Sequence, residues 1–106
     1  MNIILQPQGN LDVKLAALLL QKMAALIAEN YTHYFIDLAQ VKSLNHCGVS
    51  ALFAAHKLAR KTGKRLSLCN LNATVHYILE ISDLNGQFEI LESNNDFLEI
   101  RTKIVV

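Results

Sequence analysis

Short apolar runs typical of β-strands alternate along this chain with longer apolar runs typical of α-helices. The strand-like runs are residues 3–6, 34–38, 65–70 and 88–91, and the helix-like runs are residues 13–29, 48–61, 73–81 and 96–101. Residues 40–44 are predicted to be a loop. Because strands and helices that alternate through short connections form a parallel sheet covered by helices, we predict an α/β fold. Its mostly parallel sheet is expected to have about four main strands, with four helices.

The length and composition fit one compact domain. The chain has 106 residues, of which 52% are hydrophobic and 18% are charged. This size is common for a single domain, and the apolar fraction is sufficient for a buried core. We therefore expect residues 1–106 to form one domain.

The charges nearly cancel over the whole chain. Ten basic and nine acidic residues give a formal net charge of +1, which provides no overall field that would attract nucleic acid. Basic residues do cluster around the end of the second predicted helix, at Lys57, Arg60, Lys61, Lys64 and Arg65. Because cations complement the dipole at a helix C-terminus, we interpret this cluster first as a stabilising feature and second as a docking patch.

The sequence predicts neither secretion nor insertion into a membrane. The N-terminus lacks the basic start and long apolar core of a secretory signal. The most apolar segment, residues 11–28, is interrupted by Asp12, Lys14, Gln21 and Lys22, whereas a spanning helix needs about 20 nearly uncharged residues. We expect a cytoplasmic protein with no direct membrane insertion.

The sequence carries no motif for catalysis or for a cofactor. It has no Gly-rich phosphate loop, nucleophile motif or metal-ligand spacing. Its two cysteines, Cys47 and Cys69, lack the CxxC spacing of redox and zinc sites. We therefore predict a protein that is not an enzyme and binds no cofactor or metal. We expect the two thiols to be reduced and to lie near one another at one edge of the sheet.

Several short motifs together resemble a known family. They are GNLD at 9–12, an apolar strand at 34–38, NHCG at 45–48, VSAL at 49–52, Gly63 and LNG at 84–86. Their order and spacing are similar to those of a STAS domain, the fold of anti-sigma factor antagonists and of related modules in transporters and lipid-trafficking systems. The resemblance covers almost the whole chain and lacks only a first edge strand that many members carry before the strand at 3–6.

The loop before the second helix departs from the family pattern. In the family this loop commonly reads Asp-Ser-Ser-Gly, and its first serine is phosphorylated by a partner kinase that is also an anti-sigma factor. Here Asn45 stands at the Asp position, His46 at the phospho-acceptor position, and Cys47 and Gly48 follow. A helix N-terminus is a favourable place for a phosphate, but the acceptor hydroxyl is missing. The resemblance implies a regulatory protein-binding module that lacks the phospho-acceptor serine.

The resemblance also implies where a partner binds and what the partner is. The expected partner-binding residues are Asp12, Asn45, His46, Cys47, Gly48, Val49 and Ser50. The implied partner is an anti-sigma factor or a serine kinase-like protein; the alternative is a role as a STAS subunit of a bacterial lipid-transport or other transporter complex. A bulky charge at Val49 or Ser50 is expected to weaken binding without changing stability, because both positions are expected to be exposed.

Some of these residues also have a purely structural interpretation. Asp12 and Asn45 are suited to cap the N-termini of the first and second helices. Gly48 would relieve crowding where the second helix begins. His46 would make surface hydrogen bonds, and Cys47 would be an ordinary reduced thiol.

Overall fold

The protein alternates strands and helices as the sequence predicts. The computed structural model describes residues 1–82, 85–91 and 102–106. The strands are β1 (Asn2–Gln6), β2 (Gly9–Leu11), β3 (His33–Asp37), β4 (Val41–Leu44), β5 (Arg65–Cys69), β6 (Glu89–Leu91) and β7 (Lys103–Val105). The helices are α1 (Val13–Leu26), α2 (His46–Lys61) and α3 (Ala73–Ile81), with a 3₁₀ turn at Asn85–Gln87. The fourth helix predicted at 96–101, and Leu84 of the LNG motif, lie outside the described residues.

Within the described residues, the main sheet has five strands in the order β6-β5-β3-β1-β7. Every adjacent pair in it is parallel. The α/β class and the parallel sheet are therefore confirmed, with one strand more than the four expected. The additional strand, β7, pairs with β1 and lies at the edge of the sheet.

The prediction of a loop at residues 40–44 is wrong, because most of this segment forms the short strand β4. This strand pairs in parallel with β2, a segment that the sequence did not predict as a strand, to make a separate two-stranded sheet. Strands of three and four residues carry too little alternation to be recognised locally. Each of these strands forms its hydrogen bonds with the other, which is about thirty residues away in the sequence, and no local pattern reveals such a pairing.

The main hydrophobic core lies between one face of the sheet and the three described helices. Alternate strand residues such as Ile3, Tyr34 and Leu68 point to this face, where Leu19 of α1 and Leu52 of α2 pack against them. The intervening strand residues point to the opposite face, where Ile4, Phe35 and Cys69 form a smaller buried cluster.

A glycine in the left-handed conformation ends α2. Gly63 has φ of +74°, and its N–H donates to the Arg60 carbonyl at 3.1 Å. The next amide, from Lys64, reaches back to the Ala59 carbonyl at 2.8 Å. This pair of bonds is a Schellman motif, which satisfies carbonyl groups that the end of a helix leaves unpaired.

Candidate functional site

Two helix N-termini lie side by side because the small β2-β4 sheet leads directly into both. Asp12 follows β2 and caps α1, its carboxylate accepting from the Lys14 and Leu15 amides at 3.2 and 3.4 Å. Asn45 follows β4 and caps α2, its side-chain oxygen accepting from the Cys47 and Gly48 amides at 2.9 and 3.1 Å. The predicted capping roles of Asp12 and Asn45 are confirmed.

Gly48 lets the first turn of α2 rest on the backbone of β2. A Cβ at this position would collide with the carbonyl oxygen of Leu11 and would lie 3.0 Å from the Leu44 Cβ. The same Leu11 carbonyl accepts a long hydrogen bond of 3.4 Å from the backbone N–H of Asn45. Gly48 is therefore buried and has a packing role at the helix entry.

The expected partner-binding residues divide into an exposed group and a buried group. Asp12, Asn45, His46 and Ser50 are exposed, and Cys47 is half-buried. Gly48 and Val49 are buried, and the Val49 side chain is only 6% exposed. The expectation that Val49 is exposed is wrong, because this side chain belongs to the core. The reason for expecting a bulky charge there to leave stability unchanged therefore does not hold.

Three shallow grooves surround the outward face of α2. One lies between α1 and α2 and includes His46 and Cys47 in its lining. A second lies between α2 and α3 and includes His46 and Ile81, and a third runs along the C-terminal half of α2. Ser50 lines all three, so the grooves converge about one turn after the start of the helix.

Comparison with known proteins places this arrangement in a family. The sequence profile of the STAS domain matches residues 1–97. The chain belongs to the STAS domain family. No curated protein sequence matches it closely enough to count as a relative.

Solved structures of anti-sigma factor antagonists have the same fold as this STAS domain. One from Thermotoga maritima, assigned as an anti-sigma factor antagonist, has a TM-score of 0.81 and 20% identity, over 92% of this chain and 85% of that chain. Another, from Mycobacterium paratuberculosis, has a TM-score of 0.71 and 23% identity, over 86% and 77% of the two chains. The Bacillus cell fate determinant SpoIIAA in its phosphorylated form has a TM-score of 0.69 and 15% identity, over 94% and 91%.

Two apolar side chains beside the STAS domain's α2 were missed by the sequence analysis. Val13, the first residue of α1, is 66% exposed and lines the α1-α2 groove. Ile81, the last residue of α3, is 63% exposed and lines the α2-α3 groove. The available signal was their position at helix ends, outside the stripe that packs on the sheet.

The two thiols of the STAS domain lie on different sides of the main sheet. Cys69 is buried on the face away from the helices, where its thiol donates to the Ile36 carbonyl at 3.6 Å. Burial, with a contribution from Asp37, raises the pKa of Cys69 to about 12. Cys47 lies in α2, with its sulfur 3.8 Å from the His46 ring. The expectation that the thiols are close together is wrong, although both are free.

Metal-ligand clusters and membrane spans are absent from the described part of the STAS domain. Within residues 1–82, 85–91 and 102–106, no group of three or more His, Cys, Asp or Glu side chains could hold a metal ion. No helix in those ranges is long and apolar enough to cross a bilayer.

Proposed function

We propose that this STAS domain is a cytoplasmic regulatory binding module that resembles an anti-sigma factor antagonist. Its binding site is the α2 docking surface, defined here as Asp12, Asn45, His46, Cys47 and Ser50. Gly48 lies buried beneath this surface, and Val49, although only 6% exposed, lines the α2-α3 groove beside it.

The convergence of the grooves at Ser50 carries this proposal. A partner seated there would contact exposed apolar side chains on both sides of α2, Val13 on one and Ile81 on the other. Exposed apolar surface of this kind, rimmed by polar residues, is typical of protein-binding sites. The small side chain of Ser50 at the centre allows close approach by a partner.

The partner that fits the family is an anti-sigma factor or a serine kinase-like protein. The test is affinity capture from the source organism with the parent protein, Ser50→Arg, His46→Glu and the control Lys22→Glu, which changes an exposed side chain of α1 outside the grooves. Captured proteins are quantified by mass spectrometry. We expect the two surface variants to lose such a partner by about tenfold or more, as truncation of an interface centre does, while Lys22→Glu retains it.

Equal capture by Ser50→Arg, His46→Glu and the parent would contradict the proposed surface. Capture of a transporter subunit through the same surface would instead favour the alternative role as a STAS subunit of a transport complex. The identity of the captured protein therefore distinguishes the two roles, and the variants test the surface in either case.

We further propose that binding is not switched by serine phosphorylation at the family position. His46 is the first residue of α2 and has no hydroxyl. The two nearest serines are displaced from this position. Ser43 lies in β4, where its hydroxyl donates to the Asn10 side chain at 3.2 Å, and Ser50 lies one turn inside the helix.

Restoring the acceptor tests this second proposal. With a serine kinase of the family and ATP, we expect His46→Ser, alone or with Asn45→Asp, to take up phosphate in this loop and the parent to take up none. Phosphopeptide mapping locates the modified residue. Stoichiometric phosphate on Ser43 or Ser50 of the parent would mean that the switch has moved along the chain.

A further inference from the structure

The C-terminal half of α2 carries an apolar groove with positive charge on its rim. The groove has a volume of about 490 Å³ and is lined by Ser50, Phe53, Ala54, Lys57, Leu58 and Lys61. Phe53 is held in place by the core, because its ring packs edge-to-face on Phe88 with centroids 6.3 Å apart. The Lys57 ammonium lies over the same Phe53 ring, 5.5 Å from its centroid, and is thereby held at the rim.

Neither lysine is paired with an acidic side chain in the described part of the chain. No described carboxylate forms an ion pair with either of them, and α2 itself contains no Asp or Glu. Lys61 lies in the last turn of α2, where it complements the helix dipole. Lys57 lies outside that turn, so the dipole does not account for its position.

We propose that this groove binds an acidic amphipathic helix of a partner protein. Lys57 and Lys61 are four residues apart on one helix, so their ammonium groups are neighbours along its axis. Two carboxylates at the same spacing on a second helix would pair with them, while its apolar stripe covers Phe53 and Leu58. This is the helix-in-groove mode of recognition, with charge complementarity fixing register.

This inference rests on the proposed function and adds a second contact to it. Ser50 belongs both to the α2 docking surface and to this groove. A partner that reaches the N-terminal half of α2 would thus continue along the same helix without a gap. The groove then favours partners in which an acidic amphipathic helix lies next to the partner segment that contacts His46.

A peptide selection tests the proposal even before the partner has been identified. A displayed library of amphipathic helices about 18 residues long, enough to span α2, is selected on the parent protein. Bound peptides are then titrated by fluorescence anisotropy against parent, the double variant Lys57→Glu/Lys61→Glu and the control Lys22→Glu/Lys42→Glu. The control makes the same change of net charge at two exposed lysines outside every groove described above. Urea unfolding checks that all three proteins are folded.

We expect the selected helices to carry two acidic residues four apart beside an apolar stripe. Their affinity should fall about tenfold or more for the groove double variant, because each reversal removes an exposed ion pair and also replaces it with a like-charge contact, and stay the same for the control. Selection of no helix whose binding depends on the two lysines would overturn the proposal. So would selected helices that lack the acidic pair.

Other occupants give different results. Self-association of the parent in sedimentation velocity, lost in the groove double variant, would assign the groove to a second copy of this chain. Lysine-dependent flotation with vesicles containing phosphatidylglycerol would assign it to an anionic lipid surface. Either result would overturn the partner helix. Capture of a cellular partner that is lost in His46→Glu but unchanged in the groove variant would leave the proposed function standing and remove only this inference.

Discussion

At the scale of single residues, Gly48 is the position least able to accept a side chain. We expect Gly48→Ala to destabilise the protein by about 1–3 kcal/mol, the usual cost of overpacking. The added Cβ meets a backbone oxygen, which cannot rotate away, and the gain of about 1 kcal/mol in helix propensity is too small to offset this. Urea unfolding measures the change.

The matched control for this prediction is Gly86→Ala. A Cβ at Gly86 would meet nothing within 4 Å, so its free energy of unfolding should change by no more than about 0.5 kcal/mol. Equal stability of Gly48→Ala and the parent would show that α2 does not rest on β2 as described.

Val49 and Ser50 are neighbours with opposite environments. We expect Val49→Lys to lower the free energy of unfolding by about 3 kcal/mol or more, because it places an unpaired charge in the core. Ser50→Lys should change it by about 0.5 kcal/mol or less, because Ser50 is exposed. Thermal unfolding followed by circular dichroism distinguishes them, and similar melting temperatures for the two variants would be inconsistent with the orientation of α2.

At the scale of elements, a polar network ties β3, β5 and β6 together. Ser67 donates to a Glu89 oxygen at 2.8 Å and lies 2.7 Å from His33 Nε2. Since the Ser67 hydroxyl donates its proton to Glu89, His33 Nε2 must be the donor in the hydrogen bond between His33 and Ser67. Arg65 pairs with the same carboxylate, and its hydrogen bond is the main cause that lowers the pKa of Glu89.

This network makes stability depend on pH. Burial, followed by the charge of Arg65, lowers the pKa of His33 from its ordinary value of 6.5. At pH values just below 6.5, His33 of the unfolded chain is therefore more protonated than His33 of the folded protein. Protonation thus favours the unfolded state, and the free energy of unfolding decreases as the pH falls. We expect the urea midpoint to drop between about pH 7.5 and 5.5. His33→Gln should reduce this drop without abolishing it, because burial also lowers the pKa of His56.

The control for the pH series is His46→Gln, which changes an exposed histidine of the α2 docking surface. This variant separates the effect of replacing His33 from that of replacing an exposed histidine. A drop of the same size in His33→Gln and in the parent would show that the His33 network does not contribute.

Elements with strong local patterns could be predicted from the sequence, and elements held by distant pairing could not. Helix α3 was predicted with its observed ends from the apolar run that continues to Ile81. In the structure Asn72 caps its start by accepting from the Val75 amide. The strands β2, β4 and β7 were missed. They have three or four residues each, and β7 is a strand only because β1 presents a free edge to it.

At the scale of the whole molecule, β7 docks the C-terminal end of the chain on the sheet. Its Ile104 is half-buried and packs against the main core, whereas Val105 is 57% exposed. We expect Ile104→Ala to cost about 1–2 kcal/mol, less than a fully buried isoleucine would, and Val105→Ala about 0.5 kcal/mol or less. Equal effects in urea unfolding would argue against the docking of β7.

The environment of the candidate site's residues could be predicted only in part. The family pattern leads to the expectation of a site at the start of α2, and the helix-capping rules identified Asp12 and Asn45 correctly as N-caps. The packing of α2 on β2 determines which residues in the first turn of α2 face outward. This packing depends on the β2-β4 sheet, which the sequence did not reveal. For this reason Val49 was expected at the surface and lies in the core.

Amide chemical-shift mapping is the measurement that tests the central claim most directly. The ¹⁵N-labelled protein is titrated with the purified partner obtained by capture. We predict that the largest changes fall on the α2 docking surface, at His46, Cys47 and Ser50, and that Ser50→Arg removes them. Changes confined to β7 or to the sheet face around Phe35, with none in α2, would contradict the claim that this STAS domain binds through the start of its second helix.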